Sequence, residues 1–267
     1  MHPLLIAAAA GYGALAGLLI TRPAYRLSVE PGQPWRSTCP AGHPLAGRPR
    51  GWVGPGRCAD CAAVRVSRPA GPVNAAAEAE APPDGARYGI SPLRPAAVAA
   101  GACAAVAAAV GGRPELVVWL LAVPVVVLLG TVDFAVQRLP DVLTLPLAAG
   151  VVVGLGLAAL PGGGGGSWLR GLLGGAVLSA VYFVLFLINP RGMGFGDVKL
   201  AIPIGVALGW YGWDVVFFGT FVGFLLAAGY GLSLVITRRA GRGSTVPFGP
   251  FMALGALLAL VLGGLAA

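Results

Sequence analysis

The chain has 267 residues, of which 57% are hydrophobic and only 10% charged, against about 25% charged in an ordinary soluble domain. With a mean hydropathy of +0.82, this excludes a water-soluble globular fold and predicts an all-α polytopic membrane protein. The spans are expected to be helices because lipid offers an open backbone no hydrogen-bond partners.

Residues 3–21 read as a first transmembrane helix. They lack a basic leading region and a clear cleavage site, so a retained helix is expected rather than a signal peptide. Residues 22–94 form the one sizeable polar segment. Its first part, "RSTCPAGHPLAGRPRGWVGPGRCADC", is rich in turns and carries three of the four cysteines. Its second part, "AGPVNAAAEAEAPPDGARYG", is of low complexity without an apolar period, and 70–89 reads as a flexible linker. A seven-helix core then fills 95–267, with spans expected at 95–112, 115–134, 142–160, 168–188, 197–212, 214–236 and 247–265. Together with 3–21 this makes about eight. The span 95–112 is Ala-rich and weakly apolar. That at 197–212 is about one turn short of the roughly 17–25 residues a crossing needs and contains Pro203. "PGGGGGS" at 161–167 reads as a flexible turn.

The basic residues orient these spans. With 22–94 inside, sixteen of the 18 lysines and arginines fall on inside segments, leaving Arg113 and Arg170 outside. The positive-inside rule then places 22–94 in the cytoplasm and both termini outside. The formal net charge of +8 needs no nucleic-acid partner, because anionic inner-leaflet lipid attracts the same residues.

Beyond residue 115 the acids are Asp133, Asp141, Asp197 and Asp214. The first three fall at inside ends of spans, where ionisable groups are costly and usually functional. Asp141 follows Pro140 and reads first as a helix cap. Asp197, in "GMGFGDVKL", reads either as a cap or as a working acid. Asp133 stands at a helix C-terminus, where the macrodipole disfavours an anion, so it needs a proton or a partner. Two carboxylates at one membrane depth suggest a pair sharing a proton, the acid–base device of aspartic proteases. Gly194 and Gly196 would let the backbone beside Asp197 approach a partner closely. Lys199 reads as a residue snorkelling to the interface, and Cys103 as packing.

"GMGFGDVKL", with the upstream "DFAVQRLPDVLTLPL", resembles the type IV prepilin leader peptidases, membrane aspartic proteases of the Gly-x-Gly-Asp class. "STVPFGPFMALGAL" resembles a third stretch of that family, bringing Pro247 and Gly249 into its pattern, and the Cys-bearing loop resembles a fourth. The resemblance implies catalytic aspartates at Asp133 and Asp197, with Asp141 at a family position that is not catalytic. It implies cleavage of the short basic leader of pilin-like precursors on the cytoplasmic face of the inner (plasma) membrane. It also implies, for many members, N-methylation of the new terminus with S-adenosylmethionine. Cleavage itself would need no cofactor.

The loop departs from the family's two Cys-x-x-Cys pairs. The second pair is Cys58 and Cys61, but the first reads "CPAGH", leaving Cys39 with Gly42 in the other cysteine's place. Cys39, His43, Cys58 and Cys61 remain a possible zinc set, since tetrahedral zinc accepts three thiolates and one imidazole. The alternative is three reduced thiols and a surface histidine. Two further stretches also depart from the pattern: "GLLITRPAYRLSV", and "RYGISPLRPAAV" with no glutamate. These weaken the methyltransferase expectation specifically. One rival reading is a proton-coupled transporter, which sparse intramembrane acids and Pro/Gly-broken helices also suit; a second is a membrane scaffold or assembly factor that keeps the fold without activity, against which the two intact aspartates argue.

Overall fold

A computed structural model describes residues 3–47, 51–67, 87–160, 162, 164–190, 192–238 and 246–267. Most of the expected linker 70–89 therefore lies outside the described residues. The architecture is helical throughout, and among the described residues β-pairing is confined to two isolated bridges, Thr38 with Pro44 and Arg57 with Arg87.

The helices are α1 (Pro3–Leu19), α2 (Thr21–Leu27), α3 (Ala59–Ser67), α4 (Leu93–Val110), α5 (Glu115–Val136), α6 (Asp141–Ala159), α7 (Trp168–Ile188), α8 (Phe195–Tyr211), α9 (Trp213–Ile236) and α10 (Gly249–Ala266). Among the described residues six helices are long and apolar enough to cross a bilayer, or seven if α1 and α2, bent by 41° at their junction, count as one span. The difference from the eight expected is α8, which has seventeen residues, about 26 Å at 1.5 Å per residue.

Packing explains the two helices that read weakly. Ala-rich α4 lies against α1, where Gly13 and Gly17 face the backbone of Ala99 and Ala96 so closely that any side chain would collide with it. In lipid, helices associate through such close van der Waals contact, because the tails are as apolar as leucine. Short α8 is the hub of the bundle: twelve of its seventeen residues are buried, and α6, α7, α9 and α10 pack around it. Its seam with α7 is built from Gly171, Gly174 and Gly175 facing Gly205, Val206 and Gly209. A helix apolar on every side is stable only when surrounded, and α8 is.

The C-terminus of α8 is tied down. Arg170 Nε donates to the carbonyl of Gly209 at 3.0 Å, and its Nη2 donates to those of Trp210 and Tyr211 at 2.8 and 3.0 Å. These carbonyls belong to the last turn, which has no partners within the helix. The Ser167 N–H also donates to the Trp210 carbonyl, at 2.9 Å. Gly165 N–H donates to Oε1 of Glu115 at 2.9 Å, and Arg113 lies 3.7 Å from that same oxygen. Glu115 is fully buried. The glycine run expected to be a free turn is thus fastened at Gly165 and Ser167. Arg113 and Arg170, expected only as outside loop charges, hold helix ends together.

Candidate active site

Asp133 stands in the last turn of α5, which Gln137 closes in a left-handed conformation (φ 50), its N–H bonding the Asp133 carbonyl. Asp133 is 4% exposed. The difficulty of an anion at a helix C-terminus is relieved by α10. The N–H of Gly249, the first residue of α10, donates to Oδ2 of Asp133 at 3.0 Å. It is one of the four donors that a helix N-terminus leaves free, and the positive end of the α10 dipole accompanies it. A Cβ at Gly249 would stand 3.0 Å from that oxygen. This gives "VPFGPF" a physical reason: Pro247 lies just ahead of α10, Gly249 makes the approach, and Pro250 occupies a position where its missing N–H costs nothing.

Asp197 lies in the first turn of α8 and is 7% exposed. Its Oδ2 accepts the N–H of Gly194 at 3.1 Å, the reciprocal half of a capping box. Asp197 is therefore not the N-cap of α8, a place taken by Gly194; its carboxylate bonds back to that cap from the third position of the first turn. This leaves Oδ1 with no hydrogen-bond partner among the described residues. Both carboxylates sit at the same end of the bundle, Asp197 beside Gly196 and Asp133 bonded to Gly249, two glycines that share Leu139 as a neighbour. Each is held through one oxygen by a backbone N–H at a helix N-terminus.

Leu139, in the short connection between α5 and α6, packs at both. A Cβ on Gly196 would meet the Leu139 Cβ at 2.9 Å, and one on Gly249 would meet both of its methyls at 3.4 Å. Gly196 therefore serves the close approach expected of it, to Leu139. Gly194 is not required by space: its backbone is extended (φ −76, ψ 144), and an added Cβ would meet only ordinary contacts.

Asp141 is not the cap of α6, a place taken by Pro140, whose side chain makes no capping bond. Lys199 Nζ instead donates to both oxygens of Asp141, at 2.6 and 2.8 Å, and lies over the Phe195 ring at 5.0 Å. Lys199, expected as an interface-seeking residue, thus also has an ionic partner, and the pair joins the starts of α6 and α8 beside Asp197. At the other side of the connection, Arg138 donates to the carbonyl of Glu30 at 3.3 Å. That contact places the polar segment at the same end as the aspartates. Next to Asp133 an apolar cavity of about 530 Å³ runs along α4, α5, α8 and α10, reaching Gly130, Phe134 and Pro250.

The sulfur-bearing segment closes into a cluster. The ligand atoms of Cys39, His43, Cys58 and Cys61 all lie within 4.8 Å of one another. His43 Nδ1 is 3.6 Å from the Cys39 sulfur, 3.2 Å from that of Cys61 and 3.8 Å from that of Cys58; the Cys39 and Cys61 sulfurs are 3.8 Å apart. Zinc bond lengths of 2.0–2.3 Å in a tetrahedron require edges of about 3.6–3.8 Å; three of these four distances fall there, and the fourth, 3.2 Å between His43 and Cys61, would have to open slightly to take the ion. Gly42 adopts φ 83 in the turn closed by its N–H to the Cys39 carbonyl. A left-handed position favours glycine over cysteine, which explains the departure from Cys-x-x-Cys and makes His43 the donor. Burial raises the Cys61 thiol, with the neighbouring sulfurs adding to it. At Cys39 burial acts the same way, but hydrogen bonds from the His43 and Ala41 backbone and from the His43 and Cys61 side chains outweigh it and lower the thiol. Cys103 is fully buried in α4 as core packing.

Known proteins bear on this arrangement. Residues 119–243 match the profile of the type IV leader peptidase family. The chain is 35% identical over 148 residues to the prepilin leader peptidase/N-methyltransferase of Aeromonas salmonicida, covering 54% of this chain and 48% of that protein. It is 36% identical over 138 residues to the protein of the same name in Pseudomonas aeruginosa, covering 49% and 44%. The one in Escherichia coli K12 is 35% identical over 140 residues, covering 51% and 58%. The chain thus spans about half the length of the curated relatives it matches. No solved structure matches it. The matched stretch, from Trp119 to residue 243, carries Asp133, Asp141 and Asp197, and over it the chain is similar to the type IV leader peptidase family.

Proposed function

We propose that this protein is a membrane aspartic endopeptidase that removes the basic leader of type IV pilin-like precursors at the cytoplasmic face of the inner membrane. The observation that carries the reading is the convergence of Asp133 and Asp197, more than sixty positions apart, at one end of the bundle, each gripped by a helix N-terminal N–H. The arginine distribution supports the orientation, and the polar segment packs at that same end.

The chemistry follows from two acids that cannot comfortably both be ionised. The ionised member takes a proton from a water, which adds to the scissile carbonyl. The protonated member hydrogen-bonds the carbonyl oxygen as charge develops on it. As the tetrahedral intermediate collapses the C–N bond breaks, a proton passes to the leaving amine, and the two acids have exchanged roles. The pair titrates as a unit. Gly249 and Gly194 keep the carboxylates oriented throughout.

Cys39, His43, Cys58 and Cys61 would hold a zinc ion, which when bound cross-links the loop rather than taking part in hydrolysis. The loop these side chains organise is held to the connection between α5 and α6 by Glu30 and Arg138. N-methyl transfer remains what the relatives are named for; the cluster supports a folded loop and leaves that second activity to measurement.

The test is cleavage of a pilin-like precursor by the purified protein in detergent, with the product N-terminus read by mass spectrometry. Asp133→Asn and Asp197→Asn are each expected to abolish cleavage, and Asp141→Asn to retain it. Cleavage persisting in both of the first two variants would overturn the reading. A product heavier by one methyl on adding S-adenosylmethionine would establish the transferase.

A further inference from the structure

Leu139 belongs to a four-residue connection, yet it is 6% exposed. Four features hold it there. Gln137 turns the chain in a left-handed conformation, and Arg138 is bonded to Glu30. Pro140, extended at ψ 133, restricts the residue before it. Both oxygens of Asp141 accept from the one ammonium of Lys199. The side chain so placed packs on Gly196, neighbour of Asp197, and on Gly249, the donor to Asp133. Both of these positions are glycine, so the isobutyl group comes against backbone with no side chain between.

We infer that Leu139 is a specificity-determining residue: it sets the size of the substrate side chain admitted beside Asp133 and Asp197. The inference rests on the peptidase reading above. A peptide bond held between both carboxylates lies within reach of Leu139, which packs against the glycine beside each of them. Of the two residues flanking that bond, the one turned toward Leu139 has room only if it is small. Shortening Leu139 enlarges the space by three carbons and admits a larger residue; lengthening it closes the space further.

The experiment uses the full-length protein in detergent and a panel of precursors with Gly, Ala, Val or Leu at each of the two flanking positions. The readout is the ratio of kcat/KM for each residue to that for Gly. Wild type is expected to favour the smallest residue at one of the two positions. Leu139→Ala is expected to raise the Val/Gly ratio there by about tenfold or more, the lower end of what a methylene-sized change in a pocket achieves. Leu139→Phe is expected to lower the Ala/Gly ratio at that position, so a failure of Leu139→Ala to fold leaves a second arm. A merely structural role would lower all rates together and leave the ratios unmoved, and that result overturns the inference. If wild type cleaves none of the panel, the peptidase reading itself falls and the inference with it.

Discussion

The N–H of Gly249 meets Oδ2 of Asp133 at 3.0 Å, joining the C-terminus of α5 to the N-terminus of α10 across 116 residues of sequence. The contact reconciles an acid with a helix end that disfavours it, by lending it the opposite end of another helix. It also fixes the direction of one oxygen in a site where two carboxylates must cooperate.

Gly249→Ala tests that contact. The new methyl would stand 3.0 Å from Oδ2 and 3.4 Å from the Leu139 methyls, so carboxylate or leucine must move. Because a small misplacement of a reacting group costs as much as about a hundredfold in rate, a loss of kcat of tenfold or more is expected. The substitution should change thermal unfolding far less. A variant with wild-type kcat would show that the approach is not needed.

The Asp141–Lys199 pair is half-exposed, so its contribution to stability is expected to be about 0.2–1 kcal/mol by double-mutant cycle. Its effect on activity should be larger, because it joins the start of α6 to the helix carrying Asp197. Lys199→Ala and Asp141→Ala are each expected to slow cleavage several-fold, and the exchanged pair Asp141→Lys with Lys199→Asp to recover part of it. Additive losses without recovery in the exchanged pair would refute the coupling.

Metal analysis of the purified protein is expected to return one zinc per chain, and Cys58→Ser or His43→Ala to lose it. Chelation should make the segment 28–67 more sensitive to proteolysis while the membrane helices keep their circular dichroism. Full zinc content in His43→Ala would remove the imidazole from the set.

Gly174→Leu should be among the most damaging substitutions outside the site. It would drive a side chain into the backbone of Gly205 and Gly209 and separate α7 from α8. Overpacking of this kind costs about 1–3 kcal/mol or more, and a lowered unfolding temperature in detergent would register it. Arg170→Ala, which removes three carbonyl contacts at the far end of α8, should lower it as well, since hydrogen bonds to charged groups are worth about 1.5–3 kcal/mol each. Retention of the wild-type temperature in both would show that α8 is held by other means.

Composition and apolar segments determined by themselves that this is a helical membrane protein, because lipid admits only helices and closed barrels, and continuous apolar runs of about 17–25 residues suit the helix rather than the alternating strands of a barrel. They also singled out Asp133, Asp197 and the Cys39/His43/Cys58/Cys61 set, since costly polar residues stand out against an apolar background. The tertiary structure alone decided what each of them meets. The partner of Asp133 lies 116 residues away, and Lys199 is the partner of Asp141. Leu139 was unremarked because one leucine among many carries no local signal, and Glu115 because it falls at the edge of a span beside an arginine. Such relationships depend on which helices become neighbours. That is set by how closely glycine-lined surfaces such as α7 and α8 can approach, a sum of long-range contacts that no short stretch of sequence displays.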